Sequence, residues 1–359
     1  MIVRIAILLA VMLGFSQPAR AQDTCTAPPA IDTLGTCSGT NLRIEGGVCV
    51  CDVPVGGGTC TFSSNTDGVV DFPDNDAVTG EVDIAGGIDL HIGGDVDAGG
   101  KLGGYMLYAA PVGQTGNRSG LHMTAGDGGT KYLEGLHIDV NGHCDQFSFG
   151  SQTVADTTFT FVNNYTRGGG YNIIDGNCHG DVIQAQSASS TVVLTINLEN
   201  FAALMENFGG GNASQGIFTP NKTAQDYFSN YTNVYLRREV GNGKPVYWWD
   251  NGTDSPHYVT LDNVWSESDE SDLHPPGGIE SGGQVTWPPA DNITGFVSLG
   301  TATDPVDLAY PGKTGLSYDR SFFCEASEIP HSHSELMTRD EMLTWCVKRF
   351  NTQRCAEFQ

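Results

Sequence analysis

Short apolar runs broken by glycine and asparagine set the pattern of this chain. The runs fall at 82–92, 135–140, 158–162, 192–198, 233–236, 245–249 and 257–261, and each is rich in β-branched or aromatic residues. Runs of this length and composition between turn-forming residues predict strands. Long stretches with helical periodicity are few, so the chain reads as an all-β, turn-dense protein.

The runs are related to one another. Gly180-Asp181-Val182-Ile183-Gln184 resembles Gln215-Gly216-Ile217-Phe218-Thr219 and, more loosely, Lys244-Pro245-Val246-Tyr247-Trp248. Superposing Ile183, Ile217 and Val246 gives steps of 34 and 29 residues, and Phe159-Thr160-Phe161 precedes Val193-Leu194-Thr195 by 34. A recurrent period that tolerates insertions predicts a solenoid of stacked coils. Side chains alternate along a strand, so inward Ile183, Ile217 and Val246 leave Gln184, Phe218 and Tyr247 as an outward row. Cys144 and Cys178 are also 34 apart, which would bring them to neighbouring coils within disulfide reach.

His179-Gly180-Asp181-Val182-Ile183-Gln184, set between β-branched runs at repeat spacing, resembles the coils of right-handed parallel β-helix proteins of the pectate-lyase-like superfold. The resemblance covers 69–306 and implies a carbohydrate-related function, because lyases, hydrolases, epimerases and phage depolymerases use this architecture. The chain lacks the R-x-P-x-x-R segment of pectate lyases and the N-T-D with following D-D of polygalacturonases, so neither activity transfers. The expected layout is a signal peptide at 1–21, a cysteine-rich N-terminal cap at 22–65, the parallel β-helix at 66–310, and a C-terminal cap at 311–359. Thr338-Arg339-Asp340-Glu341 fits a capping box and places a helix near 339–350 over the open end of the solenoid.

Composition narrows the partners. The 359 residues carry 42 acidic and 17 basic side chains, a net charge of −25 that repels phosphate backbones and anionic headgroups, so nucleic acid is not an expected partner. Arg4, the apolar 5–15 stretch and Ala19-Arg20-Ala21 form an export signal, and no later stretch is long and apolar enough to span a bilayer. A secreted or periplasmic monomer is expected. The ten cysteines then read as disulfides rather than as zinc ligands.

Candidate chemistry gathers at two places. If Ile138 and Val140 face inward, His137, Asp139 and Asn141 face outward, and a histidine beside a carboxylate can be held in one tautomer as a proton-transfer group. The plainer alternative is a set of solvated polar residues. His179 and Asp181 flank the turn into the strand of Gln184, where Asp181 is a candidate acid, base or calcium ligand, or a turn residue accepting backbone hydrogen bonds. Tyr247, Trp248 and Trp249 form the densest aromatic cluster, and such rings stack on sugars. Arg167, Arg237, Arg238 and Lys244 stand out among few cations.

The resulting expectation is a polysaccharide-binding protein that cleaves or modifies its ligand. Asp181 or Asp139 would be acid, base or calcium site, and His137 or His179 the proton-transfer group. Lys244 or Arg237 would neutralise a uronate, with Gln184, Phe218, Tyr247 and Trp249 holding the sugar. Calcium is the one cofactor this scheme invokes. The competing expectations are a rod that binds glycans without turning them over, and a lectin-like β-sandwich, which would need alternating strands at about 8–12-residue spacing rather than a chain-long solenoid.

Overall fold

The computed structural model describes residues 31, 37, 41–63, 66–94, 103–109, 119–124, 128–141, 145–150, 155–168, 181–185, 192–205, 216–220, 226–238, 247–250, 256–266, 284–286, 297–298, 314–315 and 318. Among these, every regular element is a strand and no helix occurs. All pairings are parallel except that of Leu42–Glu45 with Val48–Asp52. The helix expected near 339–350 lies outside the described residues, as do Cys144 and Cys178.

Apart from Leu42–Glu45, three parallel ladders account for the described strands. Following the chain, Gly129–Glu134 belongs to the first, His137–Asn141 to the second and Phe147–Phe149 to the third. The next circuit repeats the visit: Thr157–Val162 pairs with the first, Tyr165–Gly168 with the second and Ile183–Ala185 with the third. Later the long strands Val193–Met205 and Asp226–Arg238 each serve the first ladder with their first half and the second with the remainder. Each predicted run contains a strand where it is described, but the run at 82–92 is two strands, Val82–Ala85 on the third ladder and Leu90–Gly94 on the first, separated by a turn at Gly86 and Gly87.

The bend between first and second ladders explains several sequence choices. Gly135, Asn163 and Asn200 occupy the same register position on successive circuits, with φ of 72°, 55° and 49°. Left-handed backbone favours glycine and asparagine, the latter because its short amide can bond locally. Asn200 donates through Nδ2 to Oδ1 of Asn163 at 3.0 Å, so the corner residues also link the circuits. Aspartates play a related part at other turns. Asp89 Oδ1 accepts the Thr130 N–H at 2.7 Å, and Asp156 Oδ1 accepts the Val193 N–H at 2.8 Å, each satisfying a backbone donor on the next circuit.

The ladders bury one common core. Val70, Ile92, Leu133, Phe161 and Leu198 line the first; Ile138 and Val140 the second; Leu121, Phe147 and Ile183 the third, all at most 1% exposed. Phe149 and Phe159 stack at 3.8 Å between centroids, while Phe147 meets Phe161 edge-on at 4.9 Å across two ladders. Burying each such ring contributes roughly 1.5–3 kcal/mol, enough to fix which face of every strand is interior. At the N-terminal end, Cys37–Cys49 and Cys51–Cys60 are disulfides with Cα separations of 5.3 and 5.9 Å. Val48–Asp52 and Gly58–Thr61 already join the first and third ladders, so the cysteine-rich segment begins the stack as well as tying its end.

The register corrects two alignments. Ile183 does pair with Ile217, 34 residues on, but Ile217 pairs with Tyr247 rather than Val246. Trp248, not Tyr247, therefore continues the row of Gln184 and Phe218. Phe159 pairs with Ile196, three residues beyond the expected partner Val193. Loops between ladders vary in length from circuit to circuit, so a fixed period drifts while the hydrophobic alternation holds.

Candidate functional site

The strand His137–Asn141 carries the clearest site. Ile138 and Val140 are fully buried, and alternation turns His137 and Asp139 to the outer face, where both are half-buried. Parallel pairing in register sets Tyr105 and Tyr165 on either side of His137, and Leu107 and Arg167 on either side of Asp139. The Tyr105 ring lies 4.7 Å from the imidazole at 54°, and the Tyr165 ring 4.8 Å at 90°. Leu107 is 42% exposed and Arg167 is exposed, so the patch opens to solvent along the Asp139 row.

Packing tunes these groups. Burial, helped by the Arg167 guanidinium, lowers the His137 pKa to about 4, so the imidazole is neutral at pH 7 and offers one donor and one acceptor. Burial raises the Asp139 carboxyl, with Arg167 opposing the rise. It also raises the Tyr105 phenol, with Asp139 adding to the rise and Arg167 opposing. A histidine that holds its proton this weakly is a poor base but a good hydrogen-bonding group. The patch thus combines two aromatic rings, a neutral imidazole, a carboxyl group and a cation within neighbouring strands spaced about 4.8 Å apart.

The register carries these two rows onto later strands. Ala202, Tyr235 and Trp265 continue the His137 row, and Leu204 and Arg237 continue the Asp139 row. Arg237 therefore shares a ladder with His137 and Asp139. Asp181, Gln184, Phe218, Tyr247 and Trp249 belong to the third ladder or its entry turn, so the nominated residues divide between two faces. His179 and Lys244 lie outside the described residues.

Asp181 is fully buried, as is Asp145 at the same register position on the preceding circuit. The Asp181 N–H donates to Asp145 Oδ1 at 3.0 Å, the same device seen at Asp89 and Asp156. Burial holds the Asp145 carboxyl well above the usual range, with the Asp181 N–H pulling the other way. Gln184 aligns with Ser148 and Phe218 in the register, yet Gln184 is only 8% exposed and Ser148 only 2%, so the expected outward row is buried here.

A calcium ion does not fit at Asp139, whose flanking register positions hold leucine and an arginine cation, whereas calcium takes six to eight oxygen ligands. No group of three metal-ligating side chains occurs among the described residues. Sequence reasoning missed Tyr105 and Tyr165; the available signal was the recurrence of Tyr-x-Leu, His-x-Asp and Tyr-x-Arg at 105, 137 and 165. Among the described residues no helix is long and apolar enough to cross a membrane. Compared with known proteins, the chain matches no family model, no curated protein and no solved structure.

Proposed function

We propose that this chain is an exported right-handed parallel β-helix protein of the pectate-lyase-like type that holds an extended polysaccharide across the outer face of its second ladder. The handedness follows from the strong preference of parallel crossovers. Export is supported by the signal-like 1–21 segment and by the two disulfides. The observation that carries the reading is His137 set between Tyr105 and Tyr165 beside Asp139 and Arg167. Aromatic rings supply stacking faces for sugar rings, and the flanking polar groups supply hydrogen bonds and a counter-charge for a uronate.

The weakly basic His137 favours holding the ligand over cleaving it. The test is a panel of neutral and uronate glycans scored for retention, for absorbance near 235 nm and for new reducing ends. Retention that Tyr165→Ala and Arg167→Gln each lower roughly three- to tenfold, with Asp181→Asn unchanged, supports the proposal. Reducing ends or unsaturated products would make the same face an active site. Loss on Asp181→Asn alone would move the site to the third ladder, and silence across the panel would remove the glycan reading.

A further inference from the structure

A second group of polar residues stands on the third ladder, apart from the His137 face. The register sets Asp83 beside His122, His122 beside Ser148 and Ser148 beside Gln184, one on each of four successive strands. Each is flanked along its strand by two buried apolar residues, as Ser148 is by Phe147 and Phe149, so alternation turns all four away from the core. Asp83 and His122 are half-buried, whereas Ser148 is 2% and Gln184 8% exposed, so the row runs from an open end to a closed one.

The order of these residues is the informative feature. A serine becomes a nucleophile when an imidazole takes its proton and a carboxylate holds that imidazole, which requires the histidine in the middle. Asp83, His122 and Ser148 fall in that order at steps of about 4.8 Å. Side chains at adjacent register positions do reach one another in this molecule: Asn197 Nδ2 donates to Thr160 Oγ1 at 3.2 Å, and Asn230 Nδ2 to Asn197 Oδ1 at 2.9 Å. Among the described residues no hydrogen bond joins Asp83, His122 and Ser148; rotation of the His122 ring would form them, and such contacts commonly tighten only with substrate in place. Gln184 supplies an independent sign of a ligand. Its side-chain Oε1 is buried without a hydrogen-bond partner, whereas buried amide groups are normally satisfied. A half-turn of the amide exchanges its oxygen and nitrogen, so the same position can present an N–H to an oxyanion.

We propose that Asp83, His122, Ser148 and Gln184 form a second, hydrolytic site that cleaves small carboxylic esters. Ser148 Oγ attacks the ester carbonyl carbon as its proton passes to His122, and the Gln184 N–H bonds to the oxyanion. The bond from that carbon to the alcohol oxygen then breaks, and the alcohol leaves with the proton held by His122. Water attacks the acyl-serine and gives a proton to His122, which returns it to Ser148 Oγ as the carboxylic acid departs. Asp83 is a positioning residue that acts only through the imidazole. The closed end at Ser148 limits the acyl group to a small one such as acetyl. Glycan binding on the second ladder is neither required nor implied by this site.

The experiment uses the full mature chain, with p-nitrophenyl acetate as substrate and diisopropyl fluorophosphate as label. The label should modify Ser148, located by mass spectrometry, and abolish hydrolysis of the ester. Ser148→Ala and His122→Gln should each lower kcat at least about 100-fold in chains whose circular dichroism matches the parent. Asp83→Asn and Gln184→Met should lower kcat roughly tenfold or more and leave KM within about twofold, the split expected of groups that act on the transition state. A parent chain that takes no label at Ser148 overturns the proposal without recourse to any variant. Hydrolysis that survives in folded Ser148→Ala also overturns it, as does labelling of Ser148 at the parent's rate in His122→Gln.

Discussion

Replacing His137 with phenylalanine should flatten part of the acid sensitivity of this protein. Phenylalanine keeps a ring between Tyr105 and Tyr165 but cannot take a proton. In the parent, the imidazole pKa falls from 6.5 to about 4 through burial and the nearby Arg167. Because the folded-state value is depressed, a neutral imidazole costs nothing above about pH 6.5, and stability is lost as pH falls toward 4. The full shift corresponds to ~3.4 kcal/mol, of which about 2 kcal/mol is lost by pH 5 and about 3 kcal/mol by pH 4. Asp139 and Asp145 work in the opposite direction, since their raised values favour the protonated fold on acidification. The difference between parent and His137→Phe, taken from urea unfolding at pH 7, 5 and 4, isolates the imidazole. The variant should gain on the parent by those amounts as pH falls. Parallel difference curves, or an NMR titration of His137 near 6.5, would refute the burial argument.

Asp145→Asn keeps an oxygen to accept the Asp181 N–H but removes a carboxylate whose ionisation the fold resists; it should gain stability on the parent as pH rises from about 4 to 8, read from unfolding midpoints. Phe159→Ala removes one of the two rings stacked at 3.8 Å in the core and should cost roughly 3–5 kcal/mol in urea unfolding with the slope retained. Exchanging both Cys51 and Cys60 for serine opens a loop with a sequence separation of 9 and should cost about 2.5 kcal/mol, measured against the parent under non-reducing conditions. Gly135→Ala forces a side chain into backbone at φ 72° and into the Tyr318 ring, so it should lower thermal stability by about 1–2 kcal/mol and speed exchange of the Tyr318 amide.

The sequence by itself determined the strand class, the inward faces and the outward pair. Alternation with a period of two is a local property, so Ile138 and Val140 could be assigned to the core and His137 and Asp139 to the surface without knowing any neighbour. The true step from Ile183 to Ile217 was also legible, because both sit at the same place in similar pentapeptides. Which strand lies beside which was legible only in part. Loop insertions shift the register by one residue at Tyr247 and by three at Val193, and the sequence carries no local mark of where a circuit closes. Tertiary structure alone decided that His137 stands between two tyrosines, that Asp181 lies buried beside Asp145, and that Tyr318 returns to Glu134. Those contacts join residues tens to hundreds of positions apart. Their energy comes from burial and hydrogen bonds that exist only once the ladders are stacked.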